Sequence, residues 1–178
     1  AESIDDLPRQ AREAAVVAEV LRGNIADFLR KLKAVTIKSG GHTCVVNVMP
    51  DYLAVGSDTH FVRVPMTPQT AQLIADAFGC SLPTRKLVDE IYRSAAVNLE
   101  PVPLTEAREA VETFARHNGL IEEQRTGKDL RSLVAGAKKD VVISNRLAEK
   151  PGRVAIYGWH KLDGAAIQPL SIVHRDTY

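Results

Sequence analysis

Lys138-Lys139-Asp140-Val141-Val142-Ile143-Ser144, followed by Gly152-Arg153-Val154-Ala155-Ile156-Tyr157-Gly158-Trp159-His160, decides how this chain reads. Both stretches are short apolar runs rich in β-branched and aromatic residues, with polar groups at their ends, as strands bounded by loops are. Asp163-Gly164 follows the second run and supplies the positive backbone angles of a two-residue hairpin turn. Residues 165–173 then return as a third run. The spacing predicts an antiparallel hairpin in which His160 faces Ile167 across the turn.

Working upstream, residues 35–38 and 43–48 flank Gly40-Gly41, and residues 52–55 and 61–64 flank Ser57-Asp58-Thr59. Each reads as a further hairpin. Helical periodicity separates the strand-rich parts. Asp5-Asp6-Leu7-Pro8 opens an N-terminal helical segment over about residues 5–32, interrupted at Gly23. Thr67-Pro68 and Pro83-Thr84 open two more helices, since Thr caps and Pro is tolerated in a first turn. Thr105 is expected to open a fourth, while residues 97–99 form a short extended piece. The pattern predicts one α+β domain over residues 1–178, an antiparallel or mixed sheet with helices packed on one side. Phe28, Ile74, Phe78, Ile91, Val111, Phe114, Val142, Ile143, Val154 and Ile156 fall on the apolar faces and are the expected core.

A chain of 178 residues can bury a sizeable core, and 45% hydrophobic with 25% charged residues is ordinary for a globular protein. A net charge of +1 without a basic block argues against nucleic-acid binding. No apolar run approaches the roughly 18 residues of a membrane span. The chain starts Ala1-Glu2-Ser3, which fits a cleaved leader or a trimmed chain. Cys44 and Cys80 are the two cysteines. In an exported protein they are expected to form a disulfide, stabilising by about 3–4 kcal/mol. The alternative is two free thiols in a cytosolic regulator.

On an alternating strand, Val154, Ile156, Gly158 and His160 share one face, and Ala155, Tyr157 and Trp159 the other. Gly158 clears space beside His160, a side chain able to act as acid or base near neutral pH. Asp140, at the mouth of the preceding strand, is the expected carboxylate to orient it. Tyr157, Trp159, Arg85 and Lys139 are the expected ligand contacts. Arg85 and Lys86 lie at a helix N-terminus, where cations are unfavourable for the helix and are sometimes retained to hold an anion. Against these stand plainer roles: a strand-end histidine facing water, packing aromatics, and solvated charges. Ser144 lacks the glycine elbow of a serine hydrolase and reads as a strand-end cap. His174 and Asp176 have the spacing to ligate a metal, but His160 lies too far along the strands to join them, and no metal or cofactor is expected.

Pro50-Asp51-Tyr52-Leu53-Ala54-Val55-Gly56-Ser57-Asp58, Ser81-Leu82-Pro83-Thr84-Arg85-Lys86-Leu87-Val88-Asp89 and the two stretches quoted first together resemble a group of exported bacterial proteins without an assigned activity. The resemblance covers the chain from about residue 35 onward. It implies a secreted or periplasmic protein and no particular chemistry. Chains of that group run on into a D-Y-S-H-G-like segment beyond the position of Tyr178. If that segment supplies a catalytic His or Ser, the present chain is an incomplete or divergent version.

The expected function is therefore a secreted, hydrolase-like protein acting on an extracellular polymer or peptide, with His160 and Asp140 as the acid–base pair. The rival is a non-catalytic glycan- or protein-binding module that uses the Tyr157/Trp159 face.

Overall fold

A computed structural model describes residues 4–175. The fold is α+β, as the patterning predicts, but among the described residues its strands are divided among four small sheets. Helix α1 spans Arg9–Leu21 and is followed by a single 3-10 turn, Asp27–Arg30. Gly23, at a φ of 87°, breaks the N-terminal segment in two. Strands β1 (Lys33–Ser39) and β2 (His42–Val48) form a hairpin closed by Ser39 opposite His42. Gly40 and Gly41 both take positive φ between them, the conformation that a tight two-residue turn requires. Strands β3 (Ala54–Ser57) and β4 (His60–Arg63) form the second expected hairpin.

Helix α2 (Pro68–Ala77) starts at Thr67, whose hydroxyl accepts from the Thr70 amide. Helix α3 (Arg85–Ser94) starts at Thr84, which accepts from the Leu87 amide at 3.2 Å. Helix α4 (Val111–Arg125) does not begin at Thr105. Ala107 takes a φ of 42°, which no helix interior adopts, so the helix is postponed to Val111. Strand β5 (Val97–Asn98) runs parallel to β6 (Val134–Ala135), a pairing the sequence pattern does not announce.

Strands β7 (Lys139–Val142), β8 (Ala155–His160) and β9 (Ala166–Ser171) make the one three-stranded sheet among the described residues, antiparallel throughout. The turn holds one residue fewer in register than expected: His160 pairs with Ala166, not Ile167, because Lys161 N–H bonds back to the Ala165 carbonyl. Strand β9 absorbs an extra residue between Gln168 and Ser171, where Pro169 has no amide to give the ladder. Helix α3 packs on this sheet through Val88, which clusters with Val142, Ala155, Tyr157 and Ile172.

Of the ten expected core residues, Phe28, Ile74, Val142, Val154 and Ile156 are buried, and Ile91, Val111 and Phe114 partly so. Phe78 and Ile143 are exposed. Phe78 is the C-cap of α2, past the last turn that faces the core. Ile143 leaves β7 to bridge to Thr84, its amide bonded to the Pro83 carbonyl. Cys44 and Cys80 are both free and exposed, so the expected disulfide is absent. One lies on the outward-facing β2, and the other just beyond α2. Among the described residues, no helix is long and apolar enough to cross a membrane.

Candidate functional site

His160 meets a carboxylate, but that carboxylate is Asp89 of α3 and not Asp140. Strict alternation would place Tyr157 and His160 on opposite faces of β8. Gly158 (φ 108°) and Trp159 (φ 61°) break it. A tryptophan in the left-handed region is strained, and its amide is pinned to the Lys138 carbonyl at 3.2 Å. The turn in the strand brings Tyr157 and His160 to the same acceptor. Tyr157 OH donates to Asp89 Oδ1 at 2.7 Å, and His160 Nε2 lies 3.1 Å from that oxygen. The Tyr92 ring stacks on the imidazole with centroids 4.6 Å apart. On the outer side, the Arg85 guanidinium stands 5.1 Å over the Tyr157 ring, with Nε 4.0 Å from Asp89 Oδ2.

Burial sorts these groups. The His160 side chain is 4% exposed, Asp89 28% and Arg85 59%, so Arg85 and Asp89 are the members that meet solvent. Tyr157 is buried, and Trp159 is half-buried with its indole N–H given to the Ala137 carbonyl. The two rings therefore form no exposed aromatic platform. Burial, and the hydrogen bond to Asp89, raise the Tyr157 hydroxyl above its ordinary pKa.

A groove lies alongside, lined by Thr84, Arg85, Lys86, Ile143, Ser144 and Asn145. The Thr84–Ile143 bridge builds it by laying the end of β7 beside the start of α3. Lys86 reaches across to the Lys38 carbonyl at 2.7 Å. Ser144 caps the following 3-10 turn by accepting from the Arg146 amide, as expected of a strand-end serine. His160 is not among the lining residues.

No protein-family model, curated protein or solved structure matches this chain. The site is therefore read from its own geometry.

Asp140 has a different setting. It pairs with Tyr157 across β7 and β8, and its carboxylate presses on Gly158: a Cβ there would stand 2.8 Å from Oδ2. Burial alone pushes its pKa up to about 7. Lys139, opposite Gly158, is half-buried, and its pKa is lowered by burial and by Arg108. Neither residue joins the Asp89 cluster. His174 is exposed, and Asp176 lies outside the described residues.

The sequence reading missed a second polar centre. Arg63 is fully buried and binds Asp51 through two nitrogens at 3.0 and 2.6 Å, Glu122 at 2.7 Å and Asn118 at 2.9 Å. Arg125 adds a contact to Asp51 at 3.0 Å. Beside this cluster, Lys138 Nζ lies 2.9 Å from His117 Nδ1. The Tyr52 hydroxyl donates to the Lys138 carbonyl at 3.0 Å, and burial raises its pKa strongly. A single Arg or Asp carries no such signal in sequence, since five separate positions must first be folded together.

Proposed function

We propose that this protein is a non-catalytic binding module that takes an anionic group of an extracellular polymer or peptide in the groove at the start of α3. The observation carrying this reading is the placement of Arg85. It is largely exposed at the groove, yet its guanidinium is held in position by the Tyr157 ring and Asp89. A pre-positioned guanidinium recognises carboxylate, sulfate or phosphate at little ordering cost. Lys86 adds a second positive charge, and Ser144 and Asn145 add hydrogen-bonding groups. In this reading the ligand contacts are Arg85 and Lys86, not the aromatics, and His160 buttresses Asp89 from below. The exported compartment is supported by the family resemblance alone, because the cysteines are unpaired.

A hydrolase-like role is the second reading, favoured by the 3.1 Å contact between His160 and Asp89. It requires the buried imidazole, or Asp89 in its place, to reach a bound substrate. One experiment separates the two. Calorimetric titration with an acidic hexapeptide and with a sulfated oligosaccharide is expected to show binding to one of them. Arg85→Ala should weaken it at least about tenfold, with no product on prolonged incubation. Failure of both probes to bind, or equal binding by Arg85→Ala, overturns the module. Product formation that His160→Gln abolishes while binding persists establishes the hydrolase instead.

A further inference from the structure

The Lys138–His117 pair is used by neither reading above. Lys138 sits between β6 and β7, with its main chain fixed from two sides. Its carbonyl accepts from the Tyr52 hydroxyl at 3.0 Å and from the Trp159 amide at 3.2 Å. The side chain runs to α4, where Nζ meets His117 Nδ1 at 2.9 Å. An ammonium only donates, so His117 accepts through Nδ1 and holds its own proton on Nε2. Among the described residues, no carboxylate pairs with the amine in the manner of a surface lysine. Asp51, the acid whose charge acts on it, is already held by Arg63 and Arg125.

The electrostatics agree with that geometry. Burial first, then the Arg63 charge, lower Lys138 to about 8, with Asp51 opposing. Burial first, then Lys138, lower His117 to about 4, with a backbone contact to Val102 opposing and Arg63 adding to the shift. Lowering an ammonium from 10.5 to about 8 multiplies the free-amine fraction at pH 7.4 by about 250. Neutral amines desolvated beside another cation are the kind that add to carbonyl carbon.

We propose that Lys138 is a reactive amine site that condenses with small aldehydes, with His117 as the group that takes the proton from nitrogen. The Nζ lone pair attacks the carbonyl carbon and forms the C–N bond, while the C=O π pair moves to oxygen. A proton passes from nitrogen through His117 Nδ1 to that oxygen, giving a carbinolamine. The hydroxyl then leaves as water on gaining a second proton, the nitrogen lone pair closes the C=N bond, and the remaining N–H proton is released from the iminium. Amine plus aldehyde gives imine plus water, with no oxidant or reductant. Half-burial of the pair limits the aldehyde to a small one.

The test is reductive trapping on the whole folded chain. Propanal with cyanoborohydride at pH 7.4, followed by peptide mass spectrometry, gives a labelling rate for each lysine. Lys138 is expected to label at least about tenfold faster than the median of the other lysines. The lead should vanish in 8 M urea, where burial is lost. His117→Gln, checked for an unchanged melting temperature, should cut the Lys138 rate several-fold and leave the others unchanged. Labelling of Lys138 at or below the median rate overturns the proposal. So does a rate that His117→Gln leaves untouched in a folded variant.

Discussion

Asp140→Asn removes a carboxyl that burial holds protonated in the folded protein up to about pH 7. In the unfolded chain the same carboxyl ionises near pH 4. Between those limits the folded state binds more protons than the unfolded state, so stability falls as pH rises through that window. Below pH 4 both states are protonated and nothing is lost; above about pH 7 the full penalty persists. Moving the midpoint from 3.8 to about 7 is worth about 4 kcal/mol at ~1.4 kcal/mol per pH unit. Relaxation and water entry around the charged group reduce this to about 2–4 kcal/mol. Asparagine keeps the shape against Gly158 and never ionises. Urea unfolding of both proteins from pH 4 to pH 9 therefore gives a difference curve free of all other titrations. It is expected to lie near zero at pH 4, to rise in favour of Asp140→Asn by about 2–4 kcal/mol, and to level off near pH 8. A flat curve, or one in which the parent gains on the variant as pH rises, refutes the burial assigned to Asp140.

Arg63→Ala leaves the buried Asp51 carboxylate with Arg125 and the Tyr52 amide, and a cost of about 3–5 kcal/mol in urea unfolding is expected. Gly158→Ala forces a methyl to 2.8 Å from Asp140 Oδ2 at a φ of 108°; a loss of about 1–3 kcal/mol by thermal or urea melting checks it. Tyr157→Phe deletes one hydrogen bond to Asp89 and is expected to cost about 1 kcal/mol, measured in the same way. Both cysteines should react with Ellman's reagent in the folded protein, two equivalents per chain, and an unreactive native chain contradicts their exposure.

Local patterning made the hairpins legible. Gly40-Gly41 and Asp163-Gly164 carry turn chemistry that acts on nearest neighbours; the first turn lies where its residues predict, and the second does so with its register shifted by one residue. Thr67 and Thr84 likewise announce their helices because capping is a matter of three residues. Thr105 misleads because Ala107 takes a backbone angle that its own sequence does not require. The candidate site was half legible. Tyr157, His160 and Arg85 do come together, but on Asp89, because two positive φ angles in β8 override strand alternation. Phe78 and Ile143 were misplaced for a related reason: each is patterned with its element but stands at the element's end. Pairing Cys44 with Cys80 rests on their number and on an exported compartment, with no spatial signal behind it, and the structure keeps them apart.

The division of the strands into four sheets bears on how the molecule comes apart. Each hairpin closes locally and needs little from the rest of the chain. Apolar clusters join the pieces, and so do polar contacts distant in sequence: Asp51 to Arg125 over 74 residues, Arg63 to Glu122 over 59, Tyr52 to Lys138 over 86. Such contacts form only after long loops close, and they contribute late. Cooperativity in this chain therefore depends on that polar seam and on the apolar clusters more than on a shared sheet. Weakening the seam should uncouple the amide exchange of the β3–β4 hairpin, which carries Arg63, from that of the β7–β8–β9 sheet before either one melts.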